Sequence, residues 1–279
     1  KDNYLFVREM EEDSFIEHKI TELKLFLQKV ITVPSGNNNE VYLFGGSRDV
    51  GGNNVVDDTY EFDHEKKELR KIAKMNTPKI TMSAGLSPDC KHIIIAGGSE
   101  GYNKPTNSSE IFDLKTKKWK KLSPLNCPRM SGSLIVCTGE NVFCFGGIES
   151  DPEDPSKFLP LKSIEWLQYG DIDAEWETLK IKLPFKTSSP GAICMGDRNF
   201  LVFGGWNKLT LSKVANIYHQ NTLGFNVQSM KDLEAADTFI STGLTKRDPV
   251  KKESIIFGVH FCHKYDERKE LFTLIQNKD

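Results

Sequence analysis

At 279 residues the chain is long enough for one large domain or two ordinary ones. Hydrophobic residues make up a modest 38%, but 17 Phe, 7 Tyr and 4 Trp raise the area that each apolar position can bury. The formal charge is −2, with Lys and Arg dispersed, so no global field gathers nucleic acid or an anionic membrane, and no run approaches the ~18 apolar residues of a spanning helix.

In chain order, Ile16–Leu23 aligns without gaps to Phe62–Leu69. Residues 4–28 are therefore expected to hold the later strands of a partial unit, with Tyr4–Val7 as its second strand. Then comes a feature repeated four times: an apolar strand closed by a diglycine. It reads VYLFGG at 41–46, HIIIAGG at 92–98, VFCFGG at 142–147 and FLVFGG at 200–205. The pairs are Gly45–Gly46, Gly97–Gly98, Gly146–Gly147 and Gly204–Gly205, so the period is near 50, the signature of a repeat architecture. Upstream of the last three copies lie further apolar runs, Thr81–Leu86, Ser131–Cys137 and Gly191–Met195. The turn residues between each run and its diglycine strand predict hairpins of a first and a second strand.

After each diglycine comes a variable polar loop, then a third strand, a charged turn and a fourth strand. Phe62 to Leu69, Phe112 to Trp119, Tyr218 to Phe225 and Tyr265 to Phe272 are equally spaced, and large rings at these places are expected to pack between sheets. The third copy has extra turn residues before Trp176. At the far end Ile255-Ile256-Phe257-Gly258 is a degraded second strand, and Thr238–Leu244 is expected as its first.

This pattern resembles the kelch repeat: apolar strand–Gly-Gly, a Tyr/Phe-Asp, a spaced Trp (Trp119, Trp176), and Pro-Arg before the next strand. The stretch from Cys127-Pro128-Arg129 to Trp176 is nearly complete, and Pro78-Lys79 is a relaxed Pro-Arg. The resemblance covers almost the whole chain. It implies an all-β, six-bladed kelch-type β-propeller forming one domain over 1–279. Diglycine blades are expected near 31–75, 81–124, 131–183 and 191–230, with terminal blades at 4–28, whose first strand is missing or lies upstream, and 238–276. It also implies a protein-binding module, as in ubiquitin-ligase adaptors or cytoskeletal and signalling scaffolds. Ubiquitin-ligase machinery or actin would be reached through domains outside these residues. Lys1 in place of an initiator Met fits an excised domain.

In such a blade the loops joining second and third strands share a face with the connections joining a fourth strand to the next first strand. The long loops Ser47–Asp58, Ser99–Ser109, Ile148–Lys162 and Trp206–Ser212 make that face the expected site of recognition. Arg48, Asp49, Tyr102, Asn103, Lys104, Trp206, Asn207 and Lys208 are the candidate contacts, with Arg129, Lys79 and Lys186 added from the connections. Trp, Tyr and Arg most often anchor interfaces. The acidic Asp151-Pro152-Glu153-Asp154-Pro155 lacks the spaced ligands and glycine of a calcium loop and reads as solvated.

No catalytic set is expected. His260 and His263 lie three apart, so on a strand they point to opposite faces. No zinc spacing, P-loop or GxSxG elbow occurs, and the two His, two Tyr and Cys that a copper radical oxidase resembling galactose oxidase would need do not gather at repeat-equivalent positions. A sugar mutarotase with a central polar pocket is the enzyme alternative. Cys90, Cys127, Cys137, Cys144, Cys194 and Cys262 include no CxxC and read as reduced thiols, so a cytoplasmic setting is expected, with no cofactor and a protein or peptide partner.

Overall fold

The structure, a computed structural model, describes residues 4–11, 14–22, 25–33, 40–63, 66–137, 140–154, 156–171, 173–194, 199–207, 215–221, 224–229, 233, 246–248, 253–257, 262–266, 268–269 and 271–277. Every regular element among them is a β-strand. The N-terminal hairpin is β1 (Tyr4–Glu11) and β2 (Ser14–Glu22). The first four-stranded sheet is β3 (Lys29–Val33), β4 (Glu40–Phe44), β5 (Asp58–Asp63) and β6 (Glu68–Lys74). The second is β7 (Ser83–Leu86), β8 (His92–Ala96), β9 (Ser109–Asp113) and β10 (Lys118–Leu122). In the third, β11 (Ser133–Cys137) and β12 (Asn141–Phe145) are followed by a small hairpin, β13 (Ile148–Ser150) with β14 (Phe158–Pro160). The sheet then resumes with β15 (Ile164–Gln168) and β16 (Glu177–Thr178). The fourth is β17 (Gly191–Cys194), β18 (Asn199–Phe203), β19 (Ala215–Asn221) and β20 (Gly224–Ser229). The last strands are β21 (Lys246–Asp248), β22 (Glu253–Phe257), β23 (Cys262–Asp266) and β24 (Leu271–Asn277).

The four diglycine sheets are antiparallel, with strands in sequence order. They are the blades of a kelch-type all-β architecture, numbered one to four below. Their first strands touch in succession, β3 to β7 to β11 to β17. Residues 4–28, expected as a blade of their own, are not one. Residues 16–22 of the stretch aligned to a turn and two strands lie in the single strand β2, and the β1–β2 hairpin extends the C-terminal sheet through parallel pairing of Ser14 with Gln276 and Phe15 with Asn277. A two-stranded ribbon cannot bury its own faces, so joining an existing edge is the stable outcome. The described strands thus make five sheets of four or more strands, where six blades were expected. Thr238–Leu244 lies outside the described residues, and β21 stands first in the last sheet.

The second strands read as continuous apolar runs because both of their faces are buried. Ile93 and Ile95 pack with Ile31, Tyr42 and Phe44 of the first blade. Ile94 and Ala96, pointing the other way, pack with Leu134, Val142 and Cys144 of the third. Phe143 and Phe145 then meet Ala192, Phe200 and Val202 of the fourth. The spaced tryptophans reach back one blade. Trp119 Nε1 donates to Thr59 Oγ1 at 2.9 Å, and Trp176 Nε1 to Ser109 Oγ at 3.1 Å. Phe62 opposes Leu69, Phe112 opposes Trp119 and Tyr265 opposes Phe272. Tyr218 instead opposes Val227, because β19 and β20 pair up to Asn221 and Gly224 and the tighter connection shifts the register.

The turns are capped by carboxylates. Asp113 accepts from the Thr116 and Lys115 amides at 2.7 and 2.9 Å, and Asp89 from Ser87 Oγ at 2.7 Å and the Lys91 amide at 3.1 Å. These bonds hold both pKa values below the ordinary 3.8. A carboxyl depressed in the folded state contributes stability fully present above its unfolded pKa and lost as pH falls through the folded one. The urea midpoint is therefore expected to drop on acidification below pH 3.8, and Asp113→Asn to flatten that dependence. A midpoint indifferent to acid would remove these caps from the stability balance.

Candidate interaction face

The residue after each diglycine is bridged to the connection that enters its own blade. Ser47 pairs with Phe26, Ser99 with Ile80, Ile148 with Met130 and Trp206 with Ser188. Loops and connections are thereby fastened together on one side of the blades.

The diglycines make this possible. Gly45, Gly97 and Gly146 have φ of +59°, +65° and +55°, and a Cβ there would lie 2.2, 2.3 and 2.5 Å from the carbonyl oxygens of Lys79, Arg129 and Thr187 in the next blade. Each following glycine donates its amide to that same carbonyl, at 3.2, 2.7 and 2.9 Å for Gly46, Gly98 and Gly147. Meanwhile Gly98 lies against Ile80 O and Gly147 against Met130 O, in the connections of their own blades. The glycine pair is thus squeezed between two successive connections, and only hydrogen side chains fit.

In the first loop Asp49 accepts from the Asn53 amide at 3.1 Å and the Asn54 amide at 2.6 Å, which holds its pKa low. Its carboxylate folds the loop, while Arg48 and Val50 stand exposed beside it. In the second, Ser99 Oγ donates to Gly101 O and accepts from the Lys104 amide, Asn103 takes a left-handed φ of +55°, and Tyr102 and Lys104 project outward. Val50 and Tyr102 each come three residues after the bridged serine, so they are repeat-equivalent loop tips. With Leu27 of the first connection, they are the exposed large hydrophobics among the described residues, at 74%, 64% and 45% exposure. All three are on the loop face, and no periodicity in the sequence separates such tips from ordinary loop residues. The third loop is the β13–β14 hairpin, whose Asp154 pairs with Lys157 at 2.9 Å. In the fourth, Trp206 is half-buried and tied to Ser188 by two 2.8 Å main-chain bonds, Asn207 is half-buried, and Lys208 lies outside the described residues.

Arg129 is not on this surface. It is wholly buried, pairing with Glu165 while donating to Gly146 O at 2.9 Å and Ser163 Oγ at 3.0 Å. Glu165 also accepts from the Asn126 and Cys127 amides at 2.6 and 3.2 Å. The second blade repeats the device. Lys79, equally buried, lies 3.4 Å from Glu110, which accepts from the Asn76 and Thr77 amides at 2.7 and 3.1 Å. Burial pulls the Lys79 ammonium below its usual pKa against the opposing pull of Glu110. The sequence Asn-x-Pro-(Lys/Arg) at 76–79 and 126–129 is therefore a strut, locked by one glutamate on the third strand. A glutamate directly before the apolar pair of a third strand, Glu110 before Ile111-Phe112 or Glu165 before Trp166-Leu167, is the signal that reveals it. Lys186, by contrast, is exposed.

Of the histidine cluster, His260 lies outside the described residues and His263 falls in β23. Groups of three or more His, Cys, Asp or Glu able to hold a metal are absent among the described residues.

Residues 31–234 match the family model described as the KLHDC2/KLHL20/DRC7 Kelch-repeats domain. The chain is 22% identical to Kelch-like protein 41a of Danio rerio over 184 residues, covering 66% of this chain and 28% of that protein. It is 26% identical to Host cell factor of Drosophila melanogaster, covering 58% of this chain and 12% of that protein. It is also 28% identical over 101 residues to N-acetylneuraminate epimerase of Vibrio cholerae, covering 35% of this chain and 26% of that enzyme. The chain thus spans 28% or less of the length of each of these relatives.

Proposed function

The chain belongs to the kelch-repeat family, and from that premise we propose that it is a protein-interaction module gripping a partner or substrate protein with its loop face. The observation that carries the choice of face is the placement of Leu27, Val50 and Tyr102, the exposed large hydrophobics among the described residues, on it. Arg48 and Lys104 flank them with charge. An aromatic tip with neighbouring cations is the composition that concentrates binding energy at interfaces. The role of substrate-recognition part in a ubiquitin-ligase adaptor, or of a cytoskeletal or signalling scaffold, would be completed by domains outside these residues, in a cytoplasmic setting.

Val50→Ser with Tyr102→Ser is expected to weaken partner binding about tenfold or more, the loss typical of removing central interface contacts. Both positions are exposed, so the unfolding midpoint should hold within about 0.5 kcal/mol. A photo-crosslinking residue at position 102 should trap the partner, and one at position 66, in the exposed β5–β6 turn on the opposite side of the blades, should not. Equal trapping at both positions, or binding that survives the double substitution, rejects this face. The epimerase relative supports a second reading, a sugar mutarotase. That reading predicts turnover of a free sugar, unaffected by the same pair of substitutions.

A further inference from the structure

Outer strands β6 and β10 occupy the same place in the first two blades but differ in charge balance. In β6, Arg70 pairs with Glu61 at 2.6 Å, Lys71 pairs with Asp58, and Lys74 pairs with Asp57 at 3.1 Å. The shared register, Phe62 opposite Leu69 and Phe112 opposite Trp119, carries these positions into the second blade. There the three acids become Ile111, Ser108 and Asn107, and Glu68 becomes Lys118. Lys118, Lys120 and Lys121 are exposed and form no ion pair among the described residues. The cations of one blade are neutralised from within; those of the next are left open.

The strand is open too. β10 ends its sheet, and no described strand pairs with its outer side. The outer strand of the third blade, β16, has only two residues, and the extra turn residues before Trp176 lie between it and β15. This leaves a groove of about 410 Å³ walled by Lys118, Lys120, Thr116 and His92 on one side and Tyr169 on the other. The groove reaches the turns at Thr116 and Tyr169, on the side opposite the loop face. Of its acids, Asp113 is engaged with the turn amides, and Glu140 and Asp171 stand at the third-blade end.

We propose that β10 is a second docking site, taking an extended acidic segment of a partner protein as an added strand. Alternate residues of a strand face one side, so acids two apart in the incoming segment meet Lys118 and Lys120. The open edge supplies main-chain hydrogen bonds, and the side chains supply selection. A phosphodiester backbone fits less well, since it would run past Glu140 and Asp171 without using the edge. Lysines on an edge strand also discourage self-association, so the test must separate protection from docking.

The probe is a short synthetic peptide alternating glutamate with threonine, titrated against the intact chain by fluorescence anisotropy at low and high salt. Saturable, salt-sensitive binding is expected, weakened about tenfold by Lys118→Glu with Lys120→Glu. Lys180→Glu with Lys182→Glu, the same change of net charge on exposed residues of the third blade, should leave it unchanged. The same peptide N-methylated at alternate amides should fail to bind, while circular dichroism reports the fold of each variant. The proposal is overturned by absence of saturable binding, by equal loss in both double variants, by undiminished binding of the N-methylated peptide, or by tighter binding of a duplex oligonucleotide of equal charge. Self-association of the Lys118/Lys120 variant without peptide binding by the parent chain also overturns it, leaving edge protection as the role of these lysines.

Discussion

Arg129→Ala is expected to lower stability by about 3–5 kcal/mol, the cost of breaking a buried ion pair from one side. Arg129 and Glu165 are both 0% exposed, so deleting the guanidinium strands a carboxylate with no water to take its place. It also removes the donors to Gly146 O and Ser163 Oγ, which tie the entry of the third blade to its own second and third strands. Urea denaturation would measure the loss. Arg129→Lys should lose less, because the second blade holds Lys79 in the equivalent strut, although a single ammonium cannot reproduce the guanidinium fork. Pairing Arg129→Met with Glu165→Gln should recover part of the loss, since the glutamine keeps an acceptor for the Asn126 and Cys127 amides without a charge to strand. A cost below about 1 kcal/mol for Arg129→Ala would mean that water or a neighbouring cation reaches Glu165, against its complete burial. Arg129 therefore cannot be used to map the partner-binding face: weakened binding by its variants would follow from a displaced connection. Arg48→Ala is the clean probe, because its side chain is exposed.

The blades were legible because their cause is local and repeated. A strand buried on both faces needs an unbroken apolar run, and a chain pinched between two connections needs glycine; both leave letters in the sequence. The N-terminal hairpin was misread for the opposite reason. Ile16–Leu23, apolar only at 16, 20 and 23, fits a strand–turn–strand as well as one long strand, and what decides is the free edge of β24, some 250 residues away by sequence numbering. Arg129 was misassigned because a cation next to proline reads as surface until its partner is found. Glu165 lies 36 residues downstream, and only pairing of β12 with β15 brings it near. Left-handed conformations at Leu27, Thr81, Ser131 and Ser189 left no signal at all, since none is glycine. They recur one residue after each bridge to the loop face, and in successive blades they link through main-chain bonds, Ser131 to Thr81 O at 2.8 Å and Ser189 to Ser131 O at 2.6 Å. These interblade bonds hold a conformation that side-chain preference opposes.

Gly97→Ala is expected to cost about 3 kcal/mol or more, although it adds a single methyl group. A left-handed alanine costs about 1–2 kcal/mol by itself. At φ +65° its Cβ would also stand 2.3 Å from Arg129 O, so the connection must withdraw. Withdrawal breaks the 2.7 Å bond from the Gly98 amide to that carbonyl, worth about 1 kcal/mol when satisfied and more when left buried and open. It also pulls on the strut, because the displaced carbonyl belongs to the residue whose guanidinium holds Glu165. The same substitution at Gly146 meets Thr187 O at 2.5 Å, where the next connection carries no strut, so its cost should be the smaller of the two. Gly51→Ala in the first loop is the control: its backbone is not left-handed, and the nearest atom is the flexible Asn53 side chain at 3.0 Å. Thermal unfolding ranks the three, and hydrogen exchange at the Gly98 amide reports whether the interblade bond has opened. If Gly97→Ala costs more than Gly146→Ala and exchange at Gly98 accelerates, the glycine pair and the Arg129–Glu165 strut form one coupled joint between blades. Equal costs at the two glycines would leave backbone strain as the whole effect and uncouple the strut from the turn.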